Sequence, residues 1–406
     1  MQAANRWEHK WREVERMYPW YEELTKGKSI RSLAELPLMT APLLEERYYR
    51  QPTPEDPGIS VYRTSGTSAK GRKTILYSIE DDDYYVSLKQ KLFGEIINGD
   101  VITKAVSDMG TGHAASTADA VFAALGIDCR IIPFEQPLEK HIEILSSYRP
   151  ELLYTMPSIL ERIMQGSEDP KVYGIRKIIL VGEIASVRWI ANIAAAFGLS
   201  KEDITDTYGS IELGTMAYFS HTHGRYLLED NIIAETVQPR ELGLSIEPLR
   251  EDEAVLVLTS LNRRLFPALR YVTYDVVRGF RPAPEDGSGP ASFESIVKRV
   301  GTEFKHGEKT SIYDIEEVVG AILPDAIVRV SVSGNKLHVT VSSAFANGET
   351  LLAIKEGIRE QIPEIGLMIR NGLLEDIGVN ASPYGEPGER KGIKEKKLRF
   401  EEPESL

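Results

Sequence analysis

Cysteine is nearly absent from this chain, because Cys129 is the single thiol among 406 residues. One thiol excludes an intramolecular disulfide and a zinc site built from several cysteines. Cys129 follows a turn at Gly126 and opens an apolar run. We therefore expect it to be a buried core residue.

Long apolar runs are also missing. No stretch approaches the 18 consecutive apolar residues typical of a membrane-spanning helix. The first residues carry charges where a signal peptide has an apolar core. We therefore expect a cytoplasmic protein that has no membrane partner.

The chain also lacks an excess of positive charge. The chain has 48 Lys and Arg against 61 Asp and Glu, a formal net charge of −13. Binding to nucleic acid or to an anionic membrane surface depends on clustered cations. The composition therefore argues against a general nucleic-acid binder, and an acidic surface serves solubility.

The region from 59 to 280 alternates between short apolar runs and helical patterns. Buried strands are predicted at 152–154, 178–181 and 254–258, and a helix at 187–197. Alternation of this kind is typical of a layered α/β domain with a substantial sheet. Residues 1–50 precede it as two short amphipathic helices, with apolar residues at helical spacing from Trp7 to Met17.

The composition changes near residue 285. Residues 281–290 are rich in proline, glycine and acid, which is typical of a surface loop or linker. A compact α+β pattern follows, with helices and strands at 313–322, 327–333, 336–342 and 349–361 and a turn at Gly334-Asn335. We therefore predict two domains, a large one at 1–290 that includes the helical lead-in and a small one at 291–406.

The first chemical motif is the segment 62–73, Tyr-Arg-Thr-Ser-Gly-Thr-Ser-Ala-Lys-Gly-Arg-Lys. Glycine permits close backbone approach, hydroxyls donate hydrogen bonds, and cations neutralise phosphate charge. The glycine and lysine spacing differs from the GxxxxGK[ST] loop of P-loop proteins. If the 62–73 segment stood alone, an ordinary polar turn would be the alternative interpretation.

Two further motifs lie downstream. Residues 206–212 read Asp-Thr-Tyr-Gly-Ser-Ile-Glu, in which an aromatic ring could stack on a purine and a carboxylate could bind Mg²⁺. Residues 267–275 end in Asp275, a carboxylate suited to ribose hydroxyls. If the 206–212 motif stood alone, a turn followed by a solvated glutamate would be the alternative. Asp275 alone would be interpreted as a turn residue.

In this order and at these separations, the three motifs resemble those of the adenylate-forming superfamily of acyl-CoA synthetases, aryl-acid ligases and peptide-synthetase adenylation domains. The Arg-Tyr-Val-Thr-Tyr-Asp sequence at 270–275 is similar to the phenylacetate–CoA ligase branch. The resemblance extends from about residue 10 to the end. It implies an α/β fold, with a large multi-sheet N-terminal adenylation domain and a small α+β C-terminal lid domain.

The resemblance also implies a site for ATP and Mg²⁺. Glu212 would bind the metal and act in catalysis, Tyr208 would stack on adenine, and Asp275 would hold the ribose. Arg299 would reach the ribose or a phosphate. The implied nucleotide-binding residues are Thr64, Ser65, Gly66, Thr67, Lys73, Tyr208, Gly209, Asp275 and Arg299.

A catalytic lysine is implied in the C-terminal tail. Residues 389–397 are similar to the superfamily's Arg-x-x-Gly-Lys motif, and counting from Arg390 assigns the role to Lys394. The glycine, Gly392, stands one place early, so Lys391 is an alternative. A solvated basic tail is the other interpretation.

The resemblance suggests an acyl pocket lined by Asp108, His113 and Glu183, whose side chains could hydrogen-bond ring hydroxyls. This favours a small aromatic acid, with 3,4-dihydroxybenzoate of petrobactin-type siderophore synthesis as the specific hypothesis. The acyl group would pass to the phosphopantetheine thiol of a carrier protein. Three alternatives remain: an aryl-CoA ligase that uses coenzyme A, an enzyme whose product keeps AMP, and a non-catalytic nucleotide-binding homologue.

Overall fold

In a computed structural model of the chain, the structure describes residues 6–52, 54–63, 73–97, 99–109, 113–133, 135–244, 249–284, 286–300, 312–333, 336–370, 374–383 and 398–401. The chain divides into two compact units. The first comprises Met1–Thr103, Thr111–Cys129 and Thr207–Arg299. The second comprises Lys104–Gly110, Arg130–Asp206 and Val300–Leu406.

The α-helices are α1 (Arg6–Met17), α2 (Pro19–Thr25), α3 (Ala41–Arg47), α4 (Ile79–Ile96), α5 (His113–Ala124), α6 (Leu138–Tyr148), α7 (Pro157–Gly166), α8 (Val187–Phe197), α9 (Ile312–Ile322), α10 (Gly348–Gln361) and α11 (Pro363–Arg370). The strands are β1 (Ile59–Arg63), β2 (Thr74–Ser78), β3 (Lys104–Met109), β4 (Asp128–Pro133), β5 (Leu152–Thr155), β6 (Lys177–Val181), β7 (Ile204–Ser210), β8 (Gly214–Ser220), β9 (Arg225–Leu228), β10 (Ile232–Val237), β11 (Glu253–Ser260), β12 (Tyr271–Arg278), β13 (Ser292–Phe293), β14 (Ser295–Arg299), β15 (Ile327–Ser333), β16 (Lys336–Ser342), β17 (Ile377–Ser382) and β18 (Leu398–Glu401).

The first unit is built from antiparallel strands. Strand β1 pairs with β2, and four strands follow the order β10-β11-β12-β14. Another set follows the order β13-β9-β8-β7, in which β7 and β8 form a hairpin. Irregular register interrupts β7–β8, β11–β12 and β12–β14. Such irregularities bend strands and re-aim side chains, and they are common beside functional sites.

In the second unit the neighbouring strands β3, β5 and β6 are parallel. All four residues of β5 are buried, as expected where helices cover both faces of a parallel sheet. Helix α8 begins where Ser186 Oγ accepts a hydrogen bond from Trp189 N at 3.2 Å. It ends at Gly198, whose φ of 70° suits the left-handed cap.

Residues near the C-terminus form an α+β group within the second unit. Its strands follow the order β17-β16-β15-β18, with β15 and β16 antiparallel and both outer pairs parallel. The buried apolar cluster comprises Ile315, Val318, Val319, Leu323, Val328, Val330, Leu337, Val339, Val341, Ile354, Ile358, Ile362, Ile365, Leu374 and Ile377. This group therefore has a core of its own.

The predicted α/β class with an α+β C-terminal part is confirmed, and most predicted elements occur within a residue or two of their expected bounds. The lead-in contains α3 in addition to the two helices expected. Cys129 is half-buried, so the prediction of a buried core residue was wrong. The turn at 334–335 lies outside the described residues, and the division at 290/291 stays a prediction.

Among the described residues, no helix combines the length and apolar character needed to cross a bilayer. A cytoplasmic location stays a prediction.

Candidate functional site

The turn between β7 and β8 holds Glu212. Within β7 the register shifts between Tyr208 and Gly209, and a Cβ added to Gly209 would lie 2.8 Å from the Gly214 carbonyl oxygen. Only glycine allows this approach. Ser210 Oγ accepts a hydrogen bond from Leu213 N at 3.2 Å and closes the turn around Glu212.

Tyr49, from the lead-in, connects two of the predicted site residues. Its hydroxyl donates a hydrogen bond to Glu212 Oε1 at 3.3 Å. Lys73 Nζ lies 4.6 Å from the centroid of the Tyr49 ring, a cation–π contact. Burial raises the pKa of Tyr49 well above its ordinary value, so the phenol stays a neutral donor.

The Glu212 side chain is buried, with 7% of its surface exposed. Among the described residues, none donates a hydrogen bond to its second carboxylate oxygen, Oε2. No group of three or more potential ligands occurs in the described part of the chain. This turn therefore offers a metal ion one carboxylate oxygen, Glu212 Oε2.

Tyr208, Asp275 and Arg299 form a second cluster. The Tyr208 hydroxyl donates a hydrogen bond to Asp275 Oδ2 at 2.6 Å. Burial, followed by the neighbouring Asp275 carboxylate, raises the pKa of Tyr208 well above its ordinary value. Asp275 on β12 lies directly across from Arg299 on β14, and Arg299 Nε is 3.9 Å from Asp275 Oδ1. The Arg299 side chain is 62% exposed, so this ion pair leaves its guanidinium open to solvent.

The backbone around Asp275 is strained. Arg270 and Tyr274 have φ angles of 45° and 62°, which non-glycine residues seldom adopt. Arg270 Nε donates to Glu235 at 2.5 Å, and the Tyr274 hydroxyl accepts from Ala41 N at 3.0 Å. These contacts tie the two strained residues to β10 and to the start of α3.

His113 lies in the first unit, at the start of α5. Its Nε2 is 2.8 Å from Asp82 Oδ1, and its ring centroid lies 4.1 and 3.9 Å from those of Tyr77 and Tyr85. Burial and the nearby Lys89 lower the pKa of His113 to about 3. The ring is therefore neutral near pH 7, and Nε2 is the nitrogen that donates to the carboxylate.

Asp108 and Glu183, the other predicted substrate residues, lie in the second unit. Asp108 is fully buried, and its Oδ2 is 2.7 Å from His141 Nδ1. Glu183 accepts hydrogen bonds from Ser158 N at 2.8 Å and from Ser158 Oγ at 2.9 Å. Their roles towards a substrate, like that of His113, stay predictions.

Several predicted residues lie outside the described part of the chain, namely Thr64, Ser65, Gly66, Thr67, Lys394 and its alternative Lys391. Of the remainder, the structure brings Tyr208, Asp275 and Arg299 together. It links Lys73 to Glu212 through Tyr49. The roles of all these residues in binding or catalysis stay predictions.

The sequence motifs do not point to Tyr49 or to the buried pair Asp81–Arg263, which contacts the Glu212 turn. Tyr49 lies 163 residues before Glu212 and belongs to no motif. The adjacent cations Arg263 and Arg264, just before the third motif, were the one local signal available.

Comparison with known proteins decides the family. The fumarate–(S)-2,3-diaminopropanoate ligase of Enterobacter agglomerans is 33% identical over 365 residues, which span 89% of this chain and 91% of the relative. The chain belongs to the adenylate-forming ligases. The predicted superfamily and the predicted enzyme class are thus confirmed, and the protein is an ATP-using ligase.

Other matches agree with this assignment. Residues 305–384 match the family model of the fumarate–diaminopropanoate ligase C-terminal domain. The phenylacetate-coenzyme A ligase of Aromatoleum evansii is 23% identical over 63% of this chain and 59% of its own. A crystal structure of 2-hydroxyisobutyryl-CoA ligase in the postadenylation state, with 2-HIB-AMP, covers 99% of this chain and 90% of that chain with a TM-score of 0.72. Its sequence identity is 14%, so this likeness shows the fold alone.

Proposed function

We propose that this ligase activates a small dicarboxylic acid of the fumarate class as its acyl-adenylate and transfers the acyl group to the amine of a small amino acid. The observation that carries the proposal is the similarity to the fumarate–diaminopropanoate ligase. That similarity covers 91% of the relative. In addition, residues 305–384 match the family model of the fumarate–diaminopropanoate ligase C-terminal domain.

The first step uses the acid as nucleophile. Its carboxylate oxygen attacks the α-phosphorus of ATP, a new O–P bond forms, and the bond to pyrophosphate breaks. The acid is already ionised near neutral pH, so this step needs no general base. The protein's task is to orient the two substrates and to stabilise charge on the phosphoryl group and pyrophosphate.

Glu212 fits a magnesium ion that arrives with ATP. Mg²⁺ in nucleotide sites is bound through one or two carboxylates together with substrate phosphates and water. The Glu212 turn offers one carboxylate oxygen of this kind, while Tyr49 holds the other. When bound, Mg²⁺ would neutralise phosphate charge. Lys73 would add a cation for the phosphates, and Asp275 would accept hydrogen bonds from the ribose.

The second step consumes the adenylate. The neutral amine attacks the acyl carbon, the C–O bond to AMP breaks, and the amine nitrogen loses a proton to solvent or buffer. The products are an amide and AMP. A thiol acceptor would follow the same course and give a thioester.

The alternative is a small aromatic acid, such as 3,4-dihydroxybenzoate, with a carrier-protein thiol or coenzyme A as acceptor. It is favoured by the 270–275 motif and by the similarity to the phenylacetate-coenzyme A ligase. That similarity is lower and covers less of both chains, so we rank this alternative second.

The test is ATP–pyrophosphate exchange with fumarate, maleate, succinate, benzoate, 3,4-dihydroxybenzoate and phenylacetate. We expect exchange with fumarate or a close dicarboxylate, and mass spectrometry should then detect an amide when diaminopropanoate is added. Glu212→Gln should reduce exchange at least 100-fold. Glu15→Gln is the matched control, because Glu15 also accepts a hydroxyl hydrogen bond, from Thr25 at 2.7 Å.

Exchange that depends on an aromatic acid would overturn the proposed substrate and support the alternative. Thioester formation with coenzyme A, without any amide, would overturn the proposed acceptor. Exchange that survives Glu212→Gln would overturn the metal role of Glu212 and leave the substrate assignment standing.

A further inference from the structure

A buried arginine holds the backbone on which Glu212 stands. Arg263 is 4% exposed, and its Nε donates a hydrogen bond to the Glu212 carbonyl oxygen at 3.0 Å. Its guanidinium lies 3.6 Å from the centroid of the Tyr77 ring. The Tyr77 hydroxyl donates to the carbonyl oxygen of Ile211 at 2.9 Å. One cluster thus holds two consecutive carbonyls of the turn.

Asp81 fixes this arginine in turn. Its fully buried carboxylate accepts a hydrogen bond from Arg263 Nη1. It also accepts from Arg264 N at 2.6 Å and from Leu265 N at 3.0 Å. Replacing a buried ion pair by well-packed apolar residues is often neutral or stabilising, so such a pair is weak evidence of a stabilising role. A geometric role explains the pair better than a stabilising one.

We propose that Asp81 and Arg263 position the Glu212 turn for the magnesium ion of the ATP complex, an inference that rests on the proposed role of Glu212. Tyr49 holds one oxygen of the carboxylate, and Arg263 holds the carbonyl of the same residue. The two contacts limit both side-chain rotation and backbone movement at Glu212. Misplacement by about 1 Å can cost on the order of 100-fold in rate.

Arg263→Lys tests this role. Lysine keeps the positive charge beside Asp81, but it lacks the planar guanidinium that donates to both Asp81 and the Glu212 carbonyl oxygen. We expect ATP–pyrophosphate exchange to fall at least tenfold, with the KM of the acid nearly unchanged. By calorimetry, ATP binding with Mg²⁺ should weaken at least tenfold, whereas ATP binding in EDTA should not change.

Arg225→Lys is the matched control. Arg225 is also buried, with its Nη1 3.1 Å from Glu294 Oε1 and its Nε donating to Ser292 Oγ at 3.2 Å. In the described part of the chain its hydrogen bonds go to Ser292, Glu294 and Gly279 and not to the Glu212 turn, so both ATP titrations should match the wild type. Equal losses in Arg225→Lys and Arg263→Lys would overturn the positioning role.

Tyr77→Phe provides a second variant if Arg263→Lys does not fold. It removes the hydroxyl that donates to the Ile211 carbonyl and keeps the ring beneath the guanidinium. We expect a smaller loss of the same kind, about threefold to tenfold in Mg²⁺-dependent ATP binding. Unchanged binding in a folded Tyr77→Phe protein would count against the cluster.

A double-mutant cycle separates this inference from the proposed function. In a Glu212→Gln background, Arg263→Lys should weaken Mg²⁺-dependent ATP binding less than twofold, because it acts through Glu212. Fully additive losses would overturn the positioning role while leaving Glu212 in place. If Glu212→Gln alone changed neither exchange nor Mg²⁺-dependent binding, the metal role and the positioning role would both fail.

Discussion

At the scale of single residues, burial decides the charge of His113. The side chain is 4% exposed, and removal from water disfavours the imidazolium, with Lys89 adding to the effect. The pKa of His113 is lowered to about 3, against about 6.5 in an unfolded chain. Asp82 accepts from the neutral ring instead of pairing with a cation.

This shift predicts a pH-dependent stability. Between about pH 6.5 and pH 3 the unfolded chain binds a proton that folded His113 does not, so the free energy of unfolding falls as the pH decreases. His113→Asn should flatten that dependence by about 2 kcal/mol between pH 6.5 and pH 5, at about 1.4 kcal/mol per pH unit. Urea unfolding across this range measures it.

His223→Asn is the control, because His223 lies in an exposed turn beside Ser220. It should keep the wild-type slope. An unchanged slope in His113→Asn would show that the buried imidazole does not control acid stability.

At the scale of elements, the register shift in the β7–β8 hairpin lies at Gly209. Gly209→Ala would place a Cβ 2.8 Å from the Gly214 carbonyl oxygen, and the backbone must move to accept it. We expect the free energy of unfolding to fall by about 1–3 kcal/mol, as in other overpacked sites. Exchange activity should also fall, because the shifted backbone carries Glu212. Chemical denaturation and pyrophosphate exchange measure the two effects.

Gly348→Ala, at the start of α10, is the matched control. Among the described residues, a Cβ there meets nothing within 4 Å, so the substitution should leave stability unchanged or slightly raised. If Gly209→Ala behaved in the same way, the close approach in the β7–β8 hairpin would not constrain the turn.

Elements with local signals could be predicted from the sequence. Helix α8 matches its predicted bounds because Ser186 caps its start and Gly198 ends it. The expectation for Cys129 was wrong because, among the described strands, β4 is an edge strand whose sheet neighbour is β3, and only Ile132 of its apolar run is buried. Neighbouring strands, which the sequence does not reveal, decide how much of an apolar run is covered.

The site shows the same limit. Tyr208, Asp275 and Glu212 could be predicted because each belongs to a motif of a few consecutive residues. Tyr49 and Arg263 reach Glu212 only through the folded chain, at separations of 163 and 51 residues. No periodicity in the sequence connects such residues, so the groups that hold the site in place were found only in the structure.

At the scale of the whole molecule, fold and substrate are decided by different observations. The solved ligase with a TM-score of 0.72 shares 14% of its residues with this chain, so a common architecture persists with little common sequence. Members of one fold serve many substrates. The proposed fumarate-class acid and amine therefore depend on the 33% identical relative. Exchange assays test the acid, and detection of the amide tests the amine, both independently of the fold.

Within the second unit, a buried carboxylate joins segments that are far apart in the chain. Glu161 on α7 is 1% exposed and accepts a hydrogen bond from Trp189 Nε1 on α8 at 2.7 Å. Arg329 on β15 donates to its other oxygen at 2.8 Å. Glu161 thus connects the C-terminal strand group to α7 through the ion pair and to α8 through the Trp189 hydrogen bond, all within the same unit.

Arg329→Met should lower the free energy of unfolding by about 2 kcal/mol, because it removes the cation beside a buried carboxylate. The loss is below that of a fully buried pair, since the Arg329 side chain is 27% exposed. Adding Glu161→Met should recover part of it, because the buried carboxylate that lost its cation is then removed, while Trp189 Nε1 loses its acceptor. Lys336→Met, which breaks an exposed 3.2 Å pair with Glu375, should cost less than about 0.5 kcal/mol. A double variant less stable than Arg329→Met by urea unfolding would show that Glu161 stabilises this unit by contacts other than its ion pair.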